Sequence, residues 1–157
     1  MVKITHVQEI DLGWGKIKSE LRRLSRAKVK VGLPEGGTTS GRYDMDKLAN
    51  VAAENEFGNS GANLPARPFM RSSFDENINE IKRKSLNAVH SISGAVMTAK
   101  EGLDDIGDAV ASTIKKKILS GEFAPLSAKT TKRKGHDTIL IETGQLISSI
   151  QHKSEGI

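Results

Sequence analysis

Two runs of apolar residues at helical spacing dominate the chain and leave little of it for a large sheet. Ile78, Ile81, Ser85, Val89, Ile92 and Val96 recur on one face, and Leu103, Ile106, Val110, Ile114 and Ile118 step by 3, 4, 4 and 4. That periodicity buries one stripe of each helix and solvates the other. Ser72-Ser73-Phe74-Asp75-Glu76 reads as a capping box, which predicts that the first helix starts there. Gly94 weakens it by about 1 kcal/mol relative to alanine, and Gly102 is expected to bend or end it. Gly121 closes the second helix, and Lys115, Lys116 and Lys117 stand near the negative end of its dipole.

The flanking segments are shorter. Trp14, Ile17, Leu21 and Leu24 form an apolar stripe on a helix within 12–26, with most of the cationic residues off the stripe. Lys28-Val29-Lys30-Val31-Gly32-Leu33 alternates strictly, as a half-buried strand does, and Pro34 ends it. Residues 35–43 predict a flexible loop, and Asp44 an N-cap for a helix over 45–55. A second loop covers 58–64. Leu64-Pro65-Ala66-Arg67-Pro68-Phe69 is predicted to be extended, because each proline fixes its own φ and drives its predecessor out of the helical region. Residues 139–150 suggest a short helix or turn followed by a strand. The fold class is α+β: a small, mostly antiparallel sheet packed against a long helix and several shorter ones. The 157 residues suit a single domain, 1–157, with 1–27 a basic N-terminal helical segment and 122–137 a long flexible loop.

Charge is uneven along this domain. The net +5 hides a basic start, with eight Lys/Arg against three Asp/Glu in residues 1–34, and an acidic stretch, four against eight, in 35–80. Separated blocks of opposite sign suit self-association or docking onto charged partners, and they also occur as solvated helix faces. With no cysteine, disulfide frameworks, cysteine nucleophiles and thiolate metal sites are excluded. No run of 18 apolar residues and no signal-like apolar segment occurs, so a soluble protein without membrane contact is expected.

No assembled catalytic set is legible. The histidines at 6, 90, 136 and 152 stand far apart, Asp104, Asp105 and Asp108 read as acidic residues early in a helix, and no nucleophile elbow or phosphate loop is present. The expectation is a non-enzyme without cofactor or metal. Two clusters stand out as candidate contacts. Arg67, Phe69 and Arg71 would share one face if their segment were a strand, and Arg and Phe are common interface anchors; alternatively Phe69 packs on the long helix and the arginines lie at the surface. Lys129, Lys132, Arg133 and Lys134 could neutralise phosphates, giving a possible non-specific DNA contact. Phe57 and Phe123 are expected in the core or as loop anchors.

The order of several segments resembles a known family. Val29-Lys30-Val31-Gly32-Leu33-Pro34 precedes Ala52-Ala53-Glu54-Asn55-Glu56-Phe57-Gly58 and Leu64-Pro65-Ala66-Arg67-Pro68-Phe69-Met70-Arg71. Ile118 to Ser127, Thr130 to Gly135, Leu140 to Leu146 and Ser149-Ile150 follow. Over about residues 28–152 this order resembles the tail-completion or head–tail joining proteins of tailed bacteriophages and prophages. The resemblance implies a non-catalytic virion subunit, located at the tail or neck and assembled in the bacterial host cytoplasm. It would form a homo-oligomeric ring that meets tail-tube and head-connector proteins. The rival expectation is a cytoplasmic DNA-binding protein using the basic N-terminal helix and the Lys129–Lys134 segment.

Overall fold

The computed structural model describes residues 13–34, 43–135, 138–141 and 143–157. Residues 35–42 of the predicted 35–43 loop and the first twelve residues therefore lie outside the described residues. The frame is an antiparallel pair of helices, α3 (Phe69–Ser93) and α4 (Ala99–Ser120). Before them come helix α1 (Trp14–Leu24), strand β1 (Lys28–Gly32) and helix α2 (Met45–Phe57). After them come the short helices α5 (Ala128–Lys134) and α6 (Gln145–Ser149), then strand β2 (Gln151–Glu155). The α+β class and the small antiparallel sheet stand as expected.

Helix α4 runs through the middle of the molecule because it is apolar on more than one side. Val110, Ala111, Ile114 and Ile118 enter a core with Met45, Leu48 and Ala52 of α2, Phe69 of α3, and Leu146 and Ile150. Nearer the start of α4, Leu103 and Ala99 are buried, as are Ala88 and Ile92 of α3. Asp44 caps α2 as predicted, its side chain accepting from Lys47 N at 2.9 Å. Gly121 ends α4 in the left-handed region at φ +67.

Two helix boundaries differ from the sequence reading. Helix α3 begins at Phe69, not at the Ser72 capping box, because a carboxylate from another element caps it (below). The break between the long helices falls at Gly94–Thr98 rather than at Gly102, which lies inside α4. Thr98 supplies the stronger start signal: its side chain accepts from Glu101 N at 3.2 Å, and Glu101 returns to Thr98 N at 2.8 Å. The segment 122–137 is also not one loop. Ser127 accepts from Thr130 N at 3.2 Å and starts helix α5.

The sheet has two strands, paired antiparallel with Lys28 opposite Glu155 and Gly32 opposite Gln151. A hairpin-sized sheet is marginal alone, so its inner face must be held by something else, and α4 holds it. Val29 lies opposite Ser154 and Val31 opposite His152, which places these four on one face. The imidazole of His152 rests on Gly107 of α4, where an added Cβ would stand 2.5 Å from its Cγ, so only glycine fits there. Its Nδ1 lies 3.2 Å from Asp108 and its Nε2 3.4 Å from Asp104. Ser154 donates to Asp104 at 2.7 Å.

The hydrogen bond from Lys100, followed by that from Ser154, holds the Asp104 carboxyl down at about 2 against an ordinary 3.8. A lowered carboxyl contributes stability that is complete above its unfolded value and is lost as pH falls through its folded value. Asp104→Asn is therefore expected to flatten the loss of stability between pH 3.8 and about 2, measured by urea unfolding at a series of pH values. An acid limb as steep as the parent's would contradict this role.

Candidate interaction surfaces

The segment joining α2 to α3 is built around two charged side chains that the fold buries. Helix α2 ends at Gly58, whose φ of +78 and close approach to Ala66 N, 2.9 Å from an added Cβ, reverse the chain. Asn59 bridges to Leu64 across this turn. The extended segment then runs back beside α2, and Arg67 N donates to Asn55 O at 2.6 Å. The first N–H groups of a helix have no partner within it, and here Glu56 supplies one. Its carboxylate accepts from Met70 N at 2.9 Å and Arg71 N at 3.0 Å, and from Arg71 Nε at 3.2 Å. Negative charge at the positive end of the dipole adds to those bonds.

Arg67 closes the other side. Its Nε donates to Ala124 O at 3.0 Å, Nη1 to Asn55 Oδ1 at 3.2 Å and Nη2 to Pro125 O at 3.3 Å. The guanidinium fork thus ties α2 to the chain beyond α4. Burial pushes its pKa down, yet a guanidinium stays charged. With 3% of its surface exposed, Arg67 offers nothing to a partner, and neither does Phe69, which is fully buried. These two candidate contacts are corrected: both belong to the interior, because Phe69 opens a helix rather than continuing a strand. Arg71 alone of the three remains at the surface.

Arg71 does not stand by itself. Its guanidinium carbon lies 5.2 Å from the centroid of the Phe57 ring, and Phe57 is 69% exposed. Of the two expectations for Phe57, core residue or loop anchor, the first fails, since it ends α2 with its ring exposed, while Phe123 packs partly buried against the core. Phe74, one helical turn beyond Arg71, is also exposed. A similar pairing occurs on α1, where Lys18 Nζ lies 5.8 Å from the ring centroid of Trp14, itself 60% exposed. Trp14 was read as part of the apolar stripe of α1, yet Glu20 takes the buried position. Its carboxylate caps α4 by accepting from Ala99 N at 2.8 Å.

The basic cluster Lys129, Lys132, Arg133 and Lys134 falls on helix α5, and Lys132 is exposed. Thr130 of the same helix lines a cavity of about 480 Å³ with Val51 and Asn55 of α2. A second, more polar groove of about 510 Å³ lies between α3 and α4. Lys117 spans its end, 2.8 Å from Glu76 and 3.2 Å from Glu122. The Glu76 bond leads in raising the pKa of that lysine. Among the described residues, no group of three or more histidines and carboxylates is placed to hold a metal ion, and no helix is long and apolar enough to cross a membrane. Compared with known proteins, the chain matches no family model, no curated protein and no solved structure.

The sequence carried a signal for Glu56 and Glu20 that composition conceals. Each is a lone acid on the inner face of a helix that is otherwise apolar there, which marks a carboxylate with a dedicated partner. Arg67→Lys is expected to lower stability by about 2–4 kcal/mol, because an ammonium cannot span three acceptors in fork geometry. Urea unfolding measures it. A loss no larger than that of an exposed substitution such as Lys132→Ala would refute the clasp.

Proposed function

We propose that this chain is a structural, self-assembling subunit of a tailed-phage virion, acting without catalysis at the neck or the tail end. It would form a homo-oligomeric ring and meet tail-tube and head-connector proteins. The observation that carries self-assembly is the placement of its aromatic residues. Phe57, Phe74 and Trp14 are exposed, with Arg71 and Lys18 stacked on two of them, while Phe69 alone of the aromatic residues is fully buried. Exposed aromatic and arginine side chains are the residues that carry most interface energy. The phage assignment itself rests on the order of sequence segments that resembles tail-completion proteins; Phe57 and Arg71 fall within those segments, and Trp14 and Lys18 lie before them.

Native mass spectrometry and electron microscopy of the purified chain, alone and with tail proteins, test the reading. Closed rings and incorporation into virions are the expected results. A strict monomer that never enters virions would overturn it.

One observation favours a second reading. Lys16, Lys18, Arg22 and Arg23 are exposed on α1, whose one carboxylate, Glu20, is buried. Such a face, with α5, could neutralise DNA phosphates. If it does, DNA mobility shifts at low salt disappear on raising salt and weaken when Lys132, Arg133 and Lys134 become alanine. No shift at low salt would remove this reading.

A further inference from the structure

The two exposed aromatic–cation pairs belong to helix faces of opposite charge at opposite ends of the molecule. On α1, Trp14, Lys18 and Arg22 follow one another at i, i+4 and i+8 and are all exposed, with Gly15 and Ser19 beside them. The outward face of α2 carries Ala49, Ala53 and Phe57 at the same spacing, flanked by Asp46 and Glu54, all exposed. One face is therefore aromatic and cationic. The other is small and aromatic with flanking carboxylates, Arg71 of α3 lying over its Phe57 and paired with Glu56, and its alanines allow a second helix to approach closely. The cation on α2, Lys47, is already paired with Asp44 at 3.2 Å.

These faces cannot meet within one molecule. Helix α1 packs where α3 ends and α4 begins, its Lys16, Ile17 and Glu20 sharing a pocket with Ile92 and residues 95–98. Helix α2 packs at the start of α3, through Glu56 on Met70 and Arg71. The 25 residues of α3 separate the two sites, roughly 37 Å at 1.5 Å per residue. We infer that the α1 face of one copy docks on the α2 face of the next, a contact that deepens the self-assembly reading and rests on it. The occupant is a second copy because the complementary charge and the matching helix length are both present in this chain. Different patches meeting head to tail generate a ring when the rotation closes, and opposed charges orient the approach.

A charge exchange tests the contact. Lys18→Glu/Arg22→Glu reverses one face and Asp46→Lys/Glu54→Lys the other. Each double variant alone is expected to be monomeric in native mass spectrometry at concentrations where the parent assembles. An equimolar mixture should regain assembly, since unchanged faces pair with each other and reversed faces do likewise. Trp14 is the only tryptophan in the chain, so its emission should shift to shorter wavelength in the assembled parent and in the mixture, but in neither variant alone. Unchanged circular-dichroism melting of the variants separates lost contact from lost fold.

A parent that assembles together with variants that assemble equally well overturns this contact and leaves the ring reading intact. Variants that stay apart when mixed also overturn it. A parent that is monomeric at every concentration overturns both. Loss of DNA binding by the α1 variant with assembly unchanged assigns that face to nucleic acid instead.

Discussion

Two carboxylates hold the short helices to the long ones. Glu20 of α1 reaches the first N–H of α4, and Glu56 of α2 reaches the second and third N–H groups of α3. Each acid is buried, and each meets a site where unpaired donors and the positive helix end would otherwise face the interior. Packing alone would orient α1 weakly, because its inner face offers Ile17, Leu21 and Leu24, all only partly buried. A directional bond from a charged acceptor fixes both its register and its angle. The same device at both ends of the α3–α4 pair sets where α1 and α2 stand, and hence which of their side chains face outward.

What could be read from the residues follows from which interactions are local. Periodicity places α4, β1 and the body of α3, and Asp44 and Gly121 mark real helix ends, because each depends on neighbours within a turn. The start of α3 was misplaced because its cap comes from Glu56, beyond the Gly58 reversal. Helix α5 was hidden by composition: lysine and threonine carry no apolar stripe, and the signal for it is the hydroxyl of Ser127. Of the candidate contacts, Arg67 and Phe69 are internal because Phe69 opens α3 against the core and the Arg67 guanidinium turns inward to Asn55, Ala124 and Pro125. Arg71 kept its exposure. Phe57 went the other way, since the inner face of α2 is already filled by Met45, Leu48, Ala52 and Glu56.

The functional reading thus depends on side chains left over once the core is closed. The interior is aliphatic and small, and the fold leaves Trp14, Phe57 and Phe74 exposed, the first two each beside a cation. Solvent-facing rings held beside cations are partly desolvated already, which lowers the cost of covering them. The polar groove between α3 and α4 is different. Several of its charges are paired across it, Lys84 with Asp105 and Lys117 with Glu76 and Glu122, which leaves them less to offer a partner.

The pairing of β1 with β2 has a consequence for how the chain is made. Lys28 is made well before Glu155, so β1 waits for its neighbour while all of α2 to α6 is synthesised. The α3–α4 pair, whose contacts are close in sequence, can collapse long before. During that interval the alternating valines of β1 have no strand beside them except another chain's, and neighbouring nascent copies on one message are the nearest source. Concentrating ribosomes on a transcript therefore raises the hazard of wrong strand pairing at the same time as it favours prompt assembly. Seating His152 on Gly107 is the step that ends the exposure.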